Sequence, residues 1–158
     1  MIPQQKQVAD WMVAFGQEVK EKPEIPSNIV LNLRAKLIQE EMWETIYGLG
    51  DFNPFNPSDD IKPDLITIAD GIADSLVVLL GTAAACGIDI EPVFAEVMRS
   101  NWTKLWNGDD IPLEFKTNGY TVTLVEEHPE CDIGFYLVKD KDGKVIKSPS
   151  YSPASITL

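Results

Sequence analysis

The sequence has 158 residues, 13 of them basic and 25 acidic, for a net charge of −12 with its single His neutral. Its length suits one compact domain spanning residues 1–158, and its acidity argues against a nucleic-acid backbone or a membrane surface as main partner, since both need a basic footprint. Hydrophobic residues make up 44% and charged residues 24%, a globular composition and not a disordered one. No uninterrupted apolar run of about 18 residues suggests a membrane span, and Met1-Ile2-Pro3-Gln4-Gln5 does not read as a signal peptide. Cys86 and Cys131 form no CxxC pair. They are expected as free thiols in a cytoplasmic protein, a single disulfide being the alternative.

In chain order, residues 4–20 read as a first helix with Val8, Trp11, Met12, Phe15 and Val19 on one stripe. Lys22-Pro23-Glu24-Ile25-Pro26 breaks it, and Ser27 is placed to cap a second helix running to about Leu49. After the loop DFNPFNPSDD a third helix is expected from about Asp64 to Cys86, ended by Gly87. Asp89 then caps a fourth helix, with Pro92 in its first turn, reaching about Trp106. Up to Asp110 there are 8 basic and 18 acidic residues; from Ile111 onward there are 5 and 7. Beyond the same point helical spacing gives way to alternation. LEFKTNGYTVTLVEE suggests a hairpin around Asn118-Gly119, and GFYLVKDKDGKVIK a second around Asp142-Gly143. The expected fold is mainly α: a four-helix core over 1–106, then a small β-hairpin appendage and an irregular tail over 107–158.

The second helix carries Glu40, Glu41 and Glu44. Their spacings of three and four put like charges side by side, at a cost of about a few tenths of a kcal/mol per pair unless a cation offsets it. Lys36, one turn earlier, is placed to offset one of them, and a solvated acidic face would also account for the pattern. The third helix is apolar nearly all round, so burial in a bundle is expected. After Asp64 its only charges are Asp70 and Asp74, four apart and on one face. Buried carboxylates must be paired, bonded to backbone or hydroxyls, or bound to metal. Between Lys36 and Arg99 the only basic residue is Lys62. Carboxylates on facing helices build metal sites in bundles, and an all-oxygen donor set selects Mg²⁺ or Mn²⁺.

Glu40-Glu41-Met42-Trp43-Glu44, followed after a loop by an Asp-bearing apolar helix, resembles the all-α nucleoside triphosphate pyrophosphohydrolases. That superfamily takes in MazG-like enzymes, dimeric dUTPases and phosphoribosyl-ATP pyrophosphohydrolases, and shares the pattern EExxE, a gap, then ExxD. Glu40, Glu41 and Glu44 match the first part and Asp74 the last. The Glu of ExxD falls at Gly71, and Asp70 one residue earlier is the substitute carboxylate. ACGIDIEPVFAEVMRSNWTKL resembles the helix that follows the metal site in these proteins, which gives Asn101 and Lys104 as phosphate contacts. DGKVIKSPSYSP resembles their C-terminal tail, with Lys144, Lys147 and Tyr151 as candidates for closing over the ligand.

The resemblance implies Mg²⁺-dependent hydrolysis of a nucleoside triphosphate to its monophosphate and pyrophosphate. Glu41, Glu44, Asp70 and Asp74 would be ligands; Glu40 would orient or deprotonate water, with Glu41 catalytic beside it. It also implies a homodimer or homotetramer, which the all-round apolar third helix independently favours. For the base, Gln4, Gln7, Trp11, Trp43, Trp102, Asn32 and Asn101 are candidates, and core packing would equally explain the aromatics. His128 lacks a second His and reads as no zinc ligand. Two other functions stand beside this one: phosphoribosyl-ATP hydrolysis, and a non-catalytic acidic protein that occupies a basic partner.

Overall fold

The computed structural model describes residues 1–50, 62–116, 118–126 and 134–158. The loop expected at 51–60, His128 and Cys131 lie outside the described residues. The molecule is mainly α, with four α-helices and a three-stranded antiparallel sheet among the described residues. The chain divides into two compact units, Met1–Glu91 with Leu158, and Pro92–Thr157.

The first unit holds α1 (Pro3–Ala14), α2 (Asn28–Gly48) and α3 (Leu65–Ala85). Helix α1 is six residues shorter at its end than the 4–20 expected from its stripe. Gly16 takes φ +69, which halts the helix and leaves Val19 to fold back as part of the core. Ser27 caps α2 as expected, accepting from Val30 N at 3.4 Å. Asp64 caps α3, accepting from Thr67 N at 3.1 Å and from the Thr67 hydroxyl at 2.6 Å. The core gathers Val8, Met12, Ala84 and Ala85, with Ala9, Val19, Val30 and Leu80 against it. Two buried polar side chains tie the elements together. Gln5 donates to Ile88 O at 2.6 Å and accepts from Ile90 N at 3.1 Å, fixing the turn after α3. Arg34 of α2 donates to Gln17 Oε1 at 2.7 Å and contacts Met12 Sδ at 3.6 Å, and its burial pulls its pKa down.

Helix α3 departs from expectation. It was to be buried on nearly all sides, yet among the described residues it packs mainly along α2 and α1. Leu65 and Ile66 are about four-fifths exposed, and Ile72, Leu76 and Leu79 about half. By length and composition alone it would span a bilayer. Two helical neighbours cannot cover a helix that is apolar all round.

The second unit holds most of α4 (Ile90–Trp102), β1 (Trp106–Asn107), β2 (Thr121–Val125) and β3 (Phe135–Lys139), in the sheet order β1-β3-β2. Helix α4 ends four residues before the expected Trp106, because Trp106 and Asn107 leave the helix to pair with Tyr136 and Phe135. The hairpin expected over 113–127 is only half formed. Leu113–Lys116 is a turn of 3₁₀ helix, and β2 pairs instead with β3, Val122 opposite Val138. Phe115 and Tyr120 explain the change: their rings stack at 4.3 Å between the 3₁₀ turn and β2, with Phe115 edge-on to Trp106. The second hairpin closes through a single bridge, Lys139 to Val145. Trp106, Ile111 and Val138 form the core, and Trp106 Nε1 donates to Ile146 O at 2.8 Å.

Candidate active site

The candidate carboxylates all lie in the first unit. Helix α2 presents Glu40, Glu41 and Glu44; α3 presents Asp70 and Asp74. The two helices approach closely where their side chains are small. A Cβ on Gly71 would stand 2.8 Å from Thr45 N and Cα, and one on Gly48 would stand 2.8 Å from Ile68 N. Next to Gly71, Thr45 Oγ1 lies 3.2 Å from Ser75 Oγ and donates to Glu41 O at 3.0 Å. This contact accounts for the missing Glu of the ExxD pattern. Position 71 faces the backbone of α2 and has no room for a side chain, whereas Asp70 one residue earlier stands in solvent.

Asp70 and Asp74 are exposed within the chain, contrary to the burial expected of them. They flank the α2–α3 contact and are not covered by it. Glu41 is half-buried, and it registers the crowding. Burial raises its pKa first, and the charges of Glu44, Asp74, Glu40 and Asp70 raise it further, in that order. None of the five carboxylates is in an ion pair among the described residues, and Lys36 does not offset Glu40. The donor set is oxygen only and its negative charge is uncompensated, which suits a hard divalent cation. Among the described residues no three of these groups stand close enough together to hold one metal ion.

The candidate phosphate contacts all lie in the second unit. Lys104 Nζ donates to Asn101 Oδ1 at 2.7 Å. Lys147 Nζ sits over the Tyr151 ring, 4.1 Å from its centroid. The Tyr151 hydroxyl hydrogen-bonds to Ser100, and that bond, followed by the charges of Lys147 and Lys104, lowers its pKa. Asn101, Lys104, Lys147 and Tyr151 are therefore brought together. Lys144 is placed apart, in the turn after β3, where its N donates to Asp140 Oδ1 at 2.9 Å. A shallow depression of about 250 Å³, floored by Met98, Trp102, Leu105, Leu137 and Val145, opens beside Asn101 and Lys104.

The aromatic candidates divide. Trp11 is half-exposed and packs on Phe15 at 4.9 Å, and Trp43 is more than half exposed on α2. Of the first-helix glutamines, Gln4 and Gln7 are exposed; the buried one is Gln5, which sequence reasoning passed over. Its place on the apolar row with Val8 and Met12 was the available signal. Gly71, Thr45 and Ser75 were missed as well, although small residues recurring at spacing four on α3 mark a close helix contact.

The family model for phosphoribosyl-ATP pyrophosphohydrolase matches residues 8–101, more than half of the chain, while no curated protein matches it. The matched span contains all five carboxylates and ends at Asn101. The chain thus belongs to the phosphoribosyl-ATP pyrophosphohydrolase family, within the all-α nucleoside triphosphate pyrophosphohydrolase superfamily, and is by family a hydrolase of acid anhydrides.

Proposed function

We propose that this protein hydrolyses the α–β phosphoanhydride of a (deoxy)nucleoside triphosphate, releasing the monophosphate and pyrophosphate with Mg²⁺ as cofactor. The observation that carries the reading is the set of five carboxylates, none in an ion pair among the described residues, on two closely packed helices within the family-matched span. Glu41, Glu44, Asp70 and Asp74 would hold the metal, with Mn²⁺ an acceptable substitute. Bound there, a divalent ion would offset phosphate charge and lower the pKa of water. Glu40 orients the attacking water and accepts its proton as the oxygen bonds to the α-phosphorus. The bond to the bridging oxygen breaks and pyrophosphate departs. Asn101, Lys104, Lys147 and Tyr151, with Lys144, are the proposed contacts of the phosphate oxygens. Removal of non-standard or surplus nucleotides such as dUTP or dCTP is the role we favour.

Phosphoribosyl-ATP is a second substrate reading, and the family match favours it at least as strongly. The bond broken is the same, so the site serves both. One experiment separates them: the protein is incubated with Mg²⁺ and a panel of triphosphates plus phosphoribosyl-ATP, and monophosphate and pyrophosphate are resolved. Turnover of triphosphates supports the first reading, and turnover of phosphoribosyl-ATP alone supports the second. No release from any nucleotide overturns both and leaves a non-catalytic acidic binder.

We also propose a homodimer or homotetramer. Ile72, Leu76 and Leu79 form a half-exposed apolar stripe at spacings of four and three on α3, and a second copy would remove it from water. Sedimentation should give at least twice the chain mass of 17.6 kDa, and a monomer at micromolar concentration would refute this.

A further inference from the structure

The segment from Lys147 to Ser155 has no regular secondary structure, yet it is fixed at successive points to α4 and to the turn that follows it. Ser148 Oγ donates to Thr103 O at 2.8 Å, and Ser148 N donates to Lys104 O at 3.2 Å. Ser152 N donates to Thr103 Oγ1 at 2.9 Å. Arg99 donates to Ser152 Oγ at 3.3 Å and to Pro153 O at 3.4 Å. Ser155 N donates to Glu96 Oε1 at 2.9 Å, and Glu96 is itself held by Arg99 through two bonds of 2.7 and 2.9 Å. Glu96, Arg99 and Thr103 recur at spacings of three and four, so one row of α4, with the turn that follows the helix, grips the tail.

Lys147 and Tyr151 lie immediately before and within the gripped stretch. The Tyr151 hydroxyl bonds to Ser100 and Lys147 Nζ sits over the Tyr151 ring, while the gripping side chains bond to the tail backbone and its serines. The grip therefore sets where two cationic or hydroxyl contacts stand without using either of them. An irregular segment that is already ordered loses little conformational entropy when it binds an anion.

We propose that Glu96, Arg99 and Thr103 are positioning residues, which hold the tail so that Lys147 and Tyr151 stand beside Asn101 and Lys104 as one preformed polyphosphate site. This inference rests on the proposed pyrophosphohydrolase reading, because that reading supplies the polyphosphate. Binding of inorganic pyrophosphate to the full chain, followed by calorimetry in Mg²⁺ buffer, tests it separately from turnover.

Thr103→Val should weaken pyrophosphate binding about 5- to 10-fold and Thr103→Ser should restore it. Arg99→Met, a change at an exposed position, should weaken it about 2- to 3-fold. In turnover the same variants should raise KM and leave kcat within about two-fold. The discriminating measurement is a pair of chains: Thr103→Val added to Lys147→Ala/Tyr151→Phe should bind no worse than Lys147→Ala/Tyr151→Phe alone, since the grip acts through those two contacts. Wild-type affinity in Thr103→Val and Arg99→Met, or losses that multiply in the pair, would overturn the inference, as would a wild-type chain that binds no pyrophosphate. If Thr103→Val does not fold, Arg99→Met combined with Lys147→Ala/Tyr151→Phe carries the same test. Pyrophosphate binding that follows this pattern in a chain without turnover would uphold the tail inference and sink the catalytic reading.

Discussion

The carboxylate face of α2 and α3 and the α4–tail cluster differ in charge, and also in how they are held. On the first, five like charges sit on two helices with no ion-pair partner among the described residues, and burial, followed by the neighbouring carboxylates, raises the proton affinity of Glu41. On the second, each charge already has a partner. Lys104 has Asn101, Lys147 has the Tyr151 ring, and Arg99 has Glu96. A group that repels itself needs an external cation to draw it together, whereas a cross-braced group has its geometry before any ligand arrives. The helices supply rigid placement for the chemistry, and the tail supplies placement for binding.

That difference should separate the two regions kinetically. Glu41→Gln should lower kcat by on the order of 10²–10³, measured as pyrophosphate release in saturating Mg²⁺, and chelation of the metal should do the same to the parent protein. Asp74→Asn should behave alike. Lys104→Ala should instead raise KM roughly 10-fold with a smaller change in kcat, as expected for loss of one charged contact to phosphate. A KM effect from Glu41→Gln, or a kcat collapse from Lys104→Ala, would reverse the assigned roles.

The packing beneath the carboxylates gives a third, smaller effect. Gly71→Ala places a Cβ 2.8 Å from the Thr45 backbone, which neither helix can yield without moving. It should cost about 1–3 kcal/mol and lower Tm by several degrees in thermal unfolding. Gly71→Glu, which restores the carboxylate of the shared family pattern, should destabilise more and should not improve metal binding. Tighter Mg²⁺ binding by Gly71→Glu would show that α2 and α3 can separate and that Asp70 is not the substitute ligand.

The acidic region was legible in the sequence because a helix converts spacing directly into proximity. EExxE needs only the helical period to place Glu40, Glu41 and Glu44 together, and Asp70 and Asp74 follow by the same rule. Which way those groups point was less legible. The apolar run of α3 implied burial on all sides, but burial depends on how many neighbours one chain supplies, and a sequence does not count them. The bracing of the tail was illegible for another reason. Glu96, Arg99 and Thr103 reach residues 49 to 59 positions away, and irregular backbone leaves no period to betray such pairing. The lost strand at Leu113–Lys116 has the same origin, since Phe115 is held by rings from Tyr120 and Trp106 and not by a ladder.

The smallest effect sharpens the bracing itself. Arg99 and the Ser155 amide hold Glu96 as a carboxylate and bring its pKa down from 4.5 to about 2. A carboxyl with a depressed folded pKa stabilises the fold fully above its unfolded value and loses that contribution as pH falls through the folded one. The contribution of Glu96 is therefore intact at pH 5 and above, and it declines between about 4.5 and about 2. Glu96 is about a quarter exposed and its pair with Arg99 lies at the surface, so solvent screening keeps the change slight beside the collective titration of an acidic chain. The measurement is a difference. Urea unfolding of Glu96→Gln and of the parent protein should differ most at pH 5–7, with the parent more stable, and the two curves should converge as pH approaches 2. A constant offset across that range would mean that the Arg99 contact does not hold the tail through charge, and that the bond from the Ser155 amide is the whole of the brace.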